Sequence, residues 1–135
     1  MLLVDTNVLV DVLENDPEWA DWSIAQLRAQ SKISRLAINP IIYSEMSLTF
    51  STVEALDQAI EDLGLTMLEL PRPALFLAGK AFIRYRRQHG TKSNVLADFF
   101  IGAHAAVSGY PLLTRDTQRY TAYFSAVQLI SPERV

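Results

Sequence analysis

The chain contains no cysteine. This excludes disulfide bonds and metal sites built from thiolate ligands, and it fits a protein of the cytoplasm, which is the location we expect. No apolar run approaches the roughly 18 residues that a transmembrane helix needs. Met1 leads straight into an apolar segment, without the basic n-region of a signal peptide. We therefore expect neither membrane association nor secretion.

An excess of basic residues is also absent, because 15 acidic residues stand against 12 basic ones and the net charge is −3. The balance argues mildly against a protein that coats nucleic acid non-specifically, but it allows several acids to surround a cation. There is no internal repeat, low-complexity tract or linker, and 50% of the residues are hydrophobic. We therefore expect one globular domain over residues 1–135.

Short apolar runs alternate with segments of helical period along the chain. The pattern predicts strands at 2–4, 34–39, 65–70, 111–114 and 126–131. It predicts helices at 7–15, 19–27, 40–48, 52–64, 73–88 and 95–109, with Asn39 and Thr52 at helix starts. Strands that alternate with helices indicate a parallel sheet covered on both faces. The predicted fold class is α/β, a three-layer α/β/α sandwich around a central, mostly parallel five-stranded sheet.

Four acids lie at or just beyond the ends of predicted strands. Asp5 follows the first strand, Glu45 lies in the second turn of the helix after the second strand, Asp98 begins the helix before the fourth, and Asp116 follows the fourth. Ligands bind beyond the carboxyl ends of parallel strands, so these acids are expected to converge. Clustered carboxylates repel unless a cation joins them, and oxygen ligands suit Mg²⁺ or Mn²⁺ rather than zinc. The pattern predicts a metal site suited to phosphodiester hydrolysis.

Each acid also has a simpler interpretation. Asp5 and Asp116 could cap the helices that follow them. Glu45 could be a solvated side chain, because Ile41, Ile42 and Leu48 are predicted to form the core-facing side of its helix. Asp98 is harder to explain in this way, since it is surrounded by apolar residues and a buried charge needs a partner. Gly102, one turn further on, leaves either open space beside Asp98 or a tight helix crossing.

Several polar residues accompany these acids. Thr6 and Asn7 are candidate helix caps, and Asn7 and Thr114 could also orient the carboxylates. His104 does not lie on the same face of its helix as Asp98, so it is interpreted as a packing residue or a surface residue. His89 is interpreted as part of a basic cluster.

Four segments resemble a known family when taken in this order: "LLVDTNVLVDVL", "NPIIYSEM", "LADFFIGAHA" and "LLTRDTQRY". Together they are similar to the PIN domain, and most of all to the VapC group of bacterial and archaeal toxin ribonucleases. The resemblance spans essentially the whole chain, and four separated motifs in register are specific. Residues 51–91 match no motif, and we expect substrate specificity to reside there.

The resemblance implies a PIN-like fold and a ribonuclease that uses Mg²⁺ or Mn²⁺. The implied metal ligands are Asp5, Glu45, Asp98 and Asp116, with Thr6 and Asn7 in the first motif and Thr114 in the last. It also implies a homodimer that cleaves single-stranded regions of structured RNA and is silenced by a VapB-like antitoxin. On this hypothesis a water attacks the phosphodiester in line and leaves a 5′ phosphate and a 3′ hydroxyl.

Five of the twelve basic residues fall within thirteen positions. Phosphate contacts dominate affinity for nucleic acid, so this cluster is the candidate RNA-binding track, although a solvated helix face is an equal alternative. The candidate RNA-binding residues are Lys80, Arg84, Arg86, Arg87 and Lys92, with Arg115 beside the metal site. Tyr85 and Tyr120 could stack on bases, but core positions are favoured. Trp19 and Trp22 share a helix face that is either core or a groove for the antitoxin.

Two other protein classes are set aside. A haloacid dehalogenase-type phosphatase needs a second Asp two residues after the first, where Asn7 stands. A response-regulator receiver domain needs a Lys after its fifth strand, and none is present there. The remaining alternative is a non-catalytic PIN-like module that binds RNA or protein, and metal dependence separates it from a nuclease.

Overall fold

A computed structural model describes residues 1–88, 90–92 and 95–132 of the chain. Among them it contains five strands, seven α-helices and one 3₁₀ turn, Ser47–Thr49. The strands are β1 (Leu2–Val4), β2 (Leu36–Ile38), β3 (Leu65–Met67), β4 (Leu112–Leu113) and β5 (Leu129–Ile130). The helices are α1 (Thr6–Leu13), α2 (Ala20–Ser31), α3 (Pro40–Met46), α4 (Val53–Asp62), α5 (Arg72–Arg87), α6 (Leu96–Ser108) and α7 (Gln118–Tyr123).

The strands form a single sheet in the order β3-β2-β1-β4-β5, and every pairing between neighbours is parallel. In the central strand, Leu3 lies opposite Ala37 on one side and Leu112 on the other. All residues of β1, β2 and β4 are buried. Alternate side chains of a strand point to opposite faces, so helices must cover both faces of the sheet. The predicted α/β fold class is confirmed.

The predicted helix starts are confirmed by side-chain caps. Asn39 accepts hydrogen bonds from the backbone N–H groups of Ile41 and Ile42, both at 3.0 Å. The amide nitrogen of Asn39 is 3.1 Å from Nδ1 of His104, a buried residue that therefore serves in packing. Burial lowers the pKa of His104. Thr52 begins α4 by accepting from the N–H of Ala55.

The end of α3 differs from the prediction. The helix stops at Met46 and continues as the 3₁₀ turn, so Leu48 is 88% exposed rather than facing the core. A 3₁₀ turn has three residues per turn instead of 3.6, which rotates later side chains away from the helix stripe. Met46, which is fully buried, provides the core contact instead.

Gly102 marks a tight crossing and not an open space. A Cβ atom added at this position would overlap the aromatic ring of Phe124, which follows α7. The helix α6 is otherwise rich in small residues, with Gly102, Ala103 and Ala105 all buried. The close approach brings α7 against α6, and α6 carries Asp98.

We expect Gly102→Ala to lower the free energy of unfolding by about 2 kcal/mol, because the added methyl group must displace the ring of Phe124. Gly79→Ala in α5 is the matched control, since nothing lies within 4 Å of a Cβ there. The free energy of unfolding of this control should rise by about 0.5–1 kcal/mol, because Ala has a higher helix propensity than Gly. Urea denaturation of both variants measures the difference, and equal stabilities would contradict the tight crossing.

Of the helices in the described residues, none combines the length and the apolar character that crossing a bilayer requires.

Candidate active site

Asp5 sits where the central strand ends. Its backbone N–H donates to the carbonyl of Leu113 at 2.9 Å, which ties it to the neighbouring strand β4. One carboxylate oxygen, Oδ1, accepts from the N–H of Thr6 at 2.7 Å, so Asp5 is the cap of α1, whereas the other predicted caps, Thr6 and Asn7, lie inside the helix. The side chain therefore serves as a helix cap and stands at the carboxyl edge of the sheet at once.

The second oxygen of Asp5 is surrounded by donors. Oδ2 accepts from the hydroxyl of Thr114 at 2.8 Å and from the phenol of Tyr120 at 2.8 Å, with the amide of Asn7 at 3.4 Å. Asp5 is only 4% exposed, and this burial raises its pKa from 3.8 to about 6. The charge of Asp98 raises the pKa further, while the hydrogen bonds lower it. The ionised form is therefore costly to hold here.

Asp98 lies in the first turn of α6 and faces the other acids. Burial raises its pKa, the hydrogen bond and charge of Arg119 oppose that effect, and the charges of Glu45 and Asp116 add to it. Its Oδ2 accepts from Nη1 of Arg119 at 2.7 Å. Asp98 thus interacts electrostatically with Glu45 and Asp116, and Asp5 interacts electrostatically with Asp98. The four acids share one electrostatic environment although they come from distant parts of the chain.

Thr6 links the first two acids. Its hydroxyl donates to Oε1 of Glu45 at 2.6 Å, and its backbone N–H donates to Asp5. Glu45 is half-buried on α3. This bond joins the start of α1 to α3 and fixes the direction of the Glu45 carboxylate.

Asp116 lies in the loop between β4 and α7 and is exposed. Its backbone N–H donates to the hydroxyl of Thr114 at 3.1 Å, and its Oδ1 accepts from the N–H of Gln118 at 3.2 Å. Asn7 anchors the same loop, because its Oδ1 accepts from the N–H of Arg115 at 3.2 Å and its amide donates to Thr114. Oδ1 of Asp116 thus accepts a hydrogen bond from the first residue of α7. Its Oδ2 accepts no hydrogen bond from the residues that the structure describes.

The carboxylates are not gathered around a single point. Within residues 1–88, 90–92 and 95–132, no group of three or more Asp, Glu or His side chains is arranged to hold one metal ion. Arg119 offsets part of the charge of Asp98, and the hydroxyl donors offset part of the cost of ionising Asp5. The donor set itself, four carboxylates with oxygen neighbours and no sulfur, suits a hard divalent cation, and bringing these acids closer would need one.

The sequence did not predict the contacts that two residues, Tyr120 and Arg119, make in the site. Tyr120 is buried, as the favoured core assignment predicted, but its phenol also donates to Asp5. Burial and the facing acids raise the pKa of Tyr120 well above its usual value, so it remains a donor. Arg119, its neighbour, pairs with Asp98. Both lie within four residues of Asp116 on a helical segment, and that spacing was the available signal.

Arg115 has a different place from the predicted RNA-binding track. Its guanidinium forms two hydrogen bonds with the buried carboxylate of Asp11, at 2.6 and 2.9 Å, and lies over the ring of Trp19. The hydroxyl of Ser23 donates to the same carboxylate at 2.8 Å. This ion pair fastens the loop that carries Asp116 to α1 and α2. The spacing of Asp11 from Asn7, one helical turn, could have indicated that it shares the face of the site.

The basic residues of α5 and the segment after it are exposed and lie outside the acidic site. Some of them rest on aromatic rings: Lys80 on Phe76, Arg84 on Tyr123 and Arg86 on Phe82. Exposed as well are Arg87 and Lys92. His89 lies outside the described residues.

A shallow cleft lies between the acids and this basic surface. Its volume is about 200 Å³, and it is lined by Tyr85, Asp116, Gln118, Arg119, Ala122 and Tyr123. Tyr123, under Arg84, belongs to its wall, and so does Arg119, the partner of Asp98. The cleft therefore adjoins the acidic site on one side and the basic surface on the other.

The fold is shared with solved toxin–antitoxin proteins. The chain is similar to a structure of VapBC2 from Rickettsia felis bound to a promoter DNA fragment, with 17% identity, a TM-score of 0.73 and coverage of 96% of this chain and 97% of that one. It is also similar to VapBC-1 from nontypeable Haemophilus influenzae, with 19% identity, a TM-score of 0.72 and 96% of both chains covered. A toxin-antitoxin complex from Klebsiella pneumoniae matches at 20% identity, with a TM-score of 0.65 over 100% of both chains.

At these identities the solved structures establish the fold alone. No curated protein matches the chain at a significant level. The sequence profile of the PIN domain matches residues 2–124, which is most of the chain and includes all four acids. With this match, the parallel five-stranded sheet and the acids at its carboxyl edge have one common explanation: the chain belongs to the PIN domain family.

Proposed function

We propose that the chain is an endoribonuclease that depends on Mg²⁺ or Mn²⁺, with Asp5, Glu45, Asp98 and Asp116 as its metal-binding and catalytic carboxylates. The observation that carries this proposal is the electrostatic environment of the acids: burial raises the pKa of Asp98 and of Asp5, the charges of Glu45 and Asp116 add to the effect on Asp98, and the charge of Asp98 adds to the effect on Asp5. Four acids that repel one another at a sheet edge cost stability. A function that needs them together explains their presence.

The residues around the acids have distinct tasks in this proposal. The hydroxyls of Thr114 and Tyr120 hold the carboxylate of Asp5, and Thr6 holds that of Glu45. Asn7 positions the loop of Asp116. A divalent cation held by the four acids would supply a Lewis acid for the phosphodiester and would lower the pKa of a water nucleophile. Hydrolysis breaks the bond between phosphorus and O3′, so the products are a 5′ phosphate and a 3′ hydroxyl.

We assign the binding of the RNA backbone to the exposed basic surface of α5 and the segment after it. Phosphate contacts supply most of the affinity for nucleic acid, and this surface adjoins the cleft beside Asp116. The proposed residues are Lys80, Arg84, Arg86, Arg87 and Lys92. Arg115 is left out, because Asp11 already holds its guanidinium.

We further propose that the protein is the toxin of a toxin–antitoxin pair, acts on RNA in the cytoplasm, forms a homodimer and is silenced by a VapB-like antitoxin. The support is the VapC-like order of its four motifs and the similarity of its fold to VapBC complexes. Co-expression with the product of an adjacent small gene, followed by co-purification and a growth assay, tests this biological role.

The enzymatic proposal is tested by incubating purified protein with total cellular RNA in Mg²⁺ or Mn²⁺, with a parallel reaction in EDTA. We expect discrete fragments that carry a 5′ phosphate and that disappear in EDTA. Sequencing of the fragment ends then identifies the substrate. Fragments that form equally in EDTA would contradict a metal-dependent nuclease.

A second candidate function is a non-catalytic PIN-like module that binds RNA or protein. It is favoured by the hydrogen bonds that Asp5 receives from four neighbours and by the pairing of Asp98 with Arg119, since both carboxylates already have partners within the chain. Such a module would bind RNA equally well in EDTA and in Mg²⁺. Binding without cleavage in either condition, together with no measurable affinity for Mn²⁺, would favour this candidate.

A further inference from the structure

Arg119 lies on α7 between the acidic site and the aromatic wall of the cleft. Its Nη1 donates to Oδ2 of Asp98 at 2.7 Å, and its guanidinium carbon lies 5.9 Å from the centre of the ring of Tyr85. The side chains of the pair are 21% and 31% exposed. The carboxylate of Asp98 and the face of Tyr85 are therefore the two groups that meet this guanidinium.

We propose that Arg119 is a phosphate-binding residue of the active site, and that Asp98 holds it until a divalent cation takes this carboxylate. The inference rests on the proposed function, because it assumes that the acids bind a metal. It adds a substrate-binding group that stands next to the acids rather than on the basic surface of α5.

The first step is a competition for Asp98. A carboxylate that donates its electron density to a cation binds a neighbouring guanidinium less strongly, so the ion pair with Arg119 opposes metal binding. Partly exposed ion pairs contribute only about 1 kcal/mol, and a divalent cation can therefore displace Arg119 at modest cost. Replacing Arg119 by a neutral residue should make metal binding tighter.

In the second step, the guanidinium that Asp98 releases binds a phosphate in the cleft. Arg119 already lines the cleft together with Gln118 and Tyr123, and the face of Tyr85 can retain its charge there. The planar fork of a guanidinium matches two phosphate oxygens. Arg84 lies over Tyr123 on the far wall, at 5.4 Å from the ring centre. A phosphate in this cleft would therefore have Arg119 on the side of the acids and the basic surface of α5 on the other.

The two steps are linked thermodynamically. If metal binding frees Arg119 for phosphate, then a bound phosphate must increase the affinity for metal by the same factor. Arg119 would then couple the arrival of RNA to completion of the metal site.

The full-length chain with Arg119→Gln tests this inference by calorimetry, with Arg28→Gln as a matched control. Arg28 is exposed on α2 and makes no ion pair among the described residues. Titration of Mn²⁺ alone should show about 5-fold tighter binding for Arg119→Gln and no change for the control. Adenosine 5′-monophosphate, which represents the 5′ phosphate end of a product, should bind about 10-fold more weakly to Arg119→Gln in saturating Mn²⁺.

In Arg119→Gln the affinity for Mn²⁺ should rise while the affinity for the nucleotide falls. Structural damage would instead lower both affinities. An affinity for Mn²⁺ that is unchanged or weaker in Arg119→Gln would overturn the competition. Equal affinities for the nucleotide, or no binding of it by the wild type, would overturn the phosphate-binding role. Failure of the wild type to bind Mn²⁺ is a separate result, which would overturn the proposed metal site and this inference with it.

Discussion

Asp98→Asn is expected to slow RNA cleavage in Mg²⁺ by about 1,000-fold, which corresponds to ~4 kcal/mol in the activation barrier. Asn has nearly the same shape as Asp, so packing at the start of α6 should be kept. The change removes the carboxylate charge that lies among the other acids. The rate of appearance of a defined fragment, measured at equal protein concentration, gives the size of the effect.

Glu61→Gln is the control for this loss. It removes one negative charge from an exposed position on α4, away from the acids at the sheet edge, so cleavage should proceed at the wild-type rate. Circular dichroism of Asp98→Asn establishes that the fold is intact. Cleavage by folded Asp98→Asn at the wild-type rate would remove Asp98 from the catalytic site.

The stability of the metal-free protein should fall as the pH rises from 4 to 7, through a contribution from Asp5. The pKa of this carboxyl is about 6 in the folded chain, against an ordinary value of 3.8. Between these values the folded state binds more protons than the unfolded state, so raising the pH favours unfolding. At about 1.4 kcal/mol for each pKa unit, the full effect above pH 6 is about 3 kcal/mol.

The measurement compares the wild type with Asp5→Asn by urea denaturation in EDTA across this pH range. The free energy of unfolding of the wild type, relative to the variant, should decrease by up to about 3 kcal/mol between pH 4 and 7. Titrating groups that do not interact with Asp5 contribute equally to both proteins and cancel in this difference, whereas Asp98 interacts with Asp5 and contributes to it. Adding Mg²⁺ at pH 7 should stabilise only the wild type, because a ligand that binds the folded state stabilises it. Parallel pH profiles would show that Asp5 does not carry an elevated pKa.

Much of the fold follows from local patterns. The parallel sheet was predicted from the alternation of apolar runs with helical periods, since each strand buried on both faces reads as a short continuous apolar run. Helix starts at Asn39 and Thr52 were predicted because a cap depends only on residues two or three positions away. Leu48 was assigned wrongly to the core because nothing local reveals a change from α-helix to a 3₁₀ turn.

The order of strands along the chain was enough to place Asp5 and Asp116 at the carboxyl edge of the sheet, because each follows a strand and the ends of parallel strands meet at one edge. The partners of the acids depend on tertiary contacts. Asp98 meets Arg119, Asp11 meets Arg115, and Asp5 meets Tyr120 across 21, 104 and 115 positions of the chain. Such pairs form between side chains on separate elements, so they depend on how helices cross. The approach of α7 to α6 over Gly102 sets one of these crossings, and no spacing along the chain encodes it.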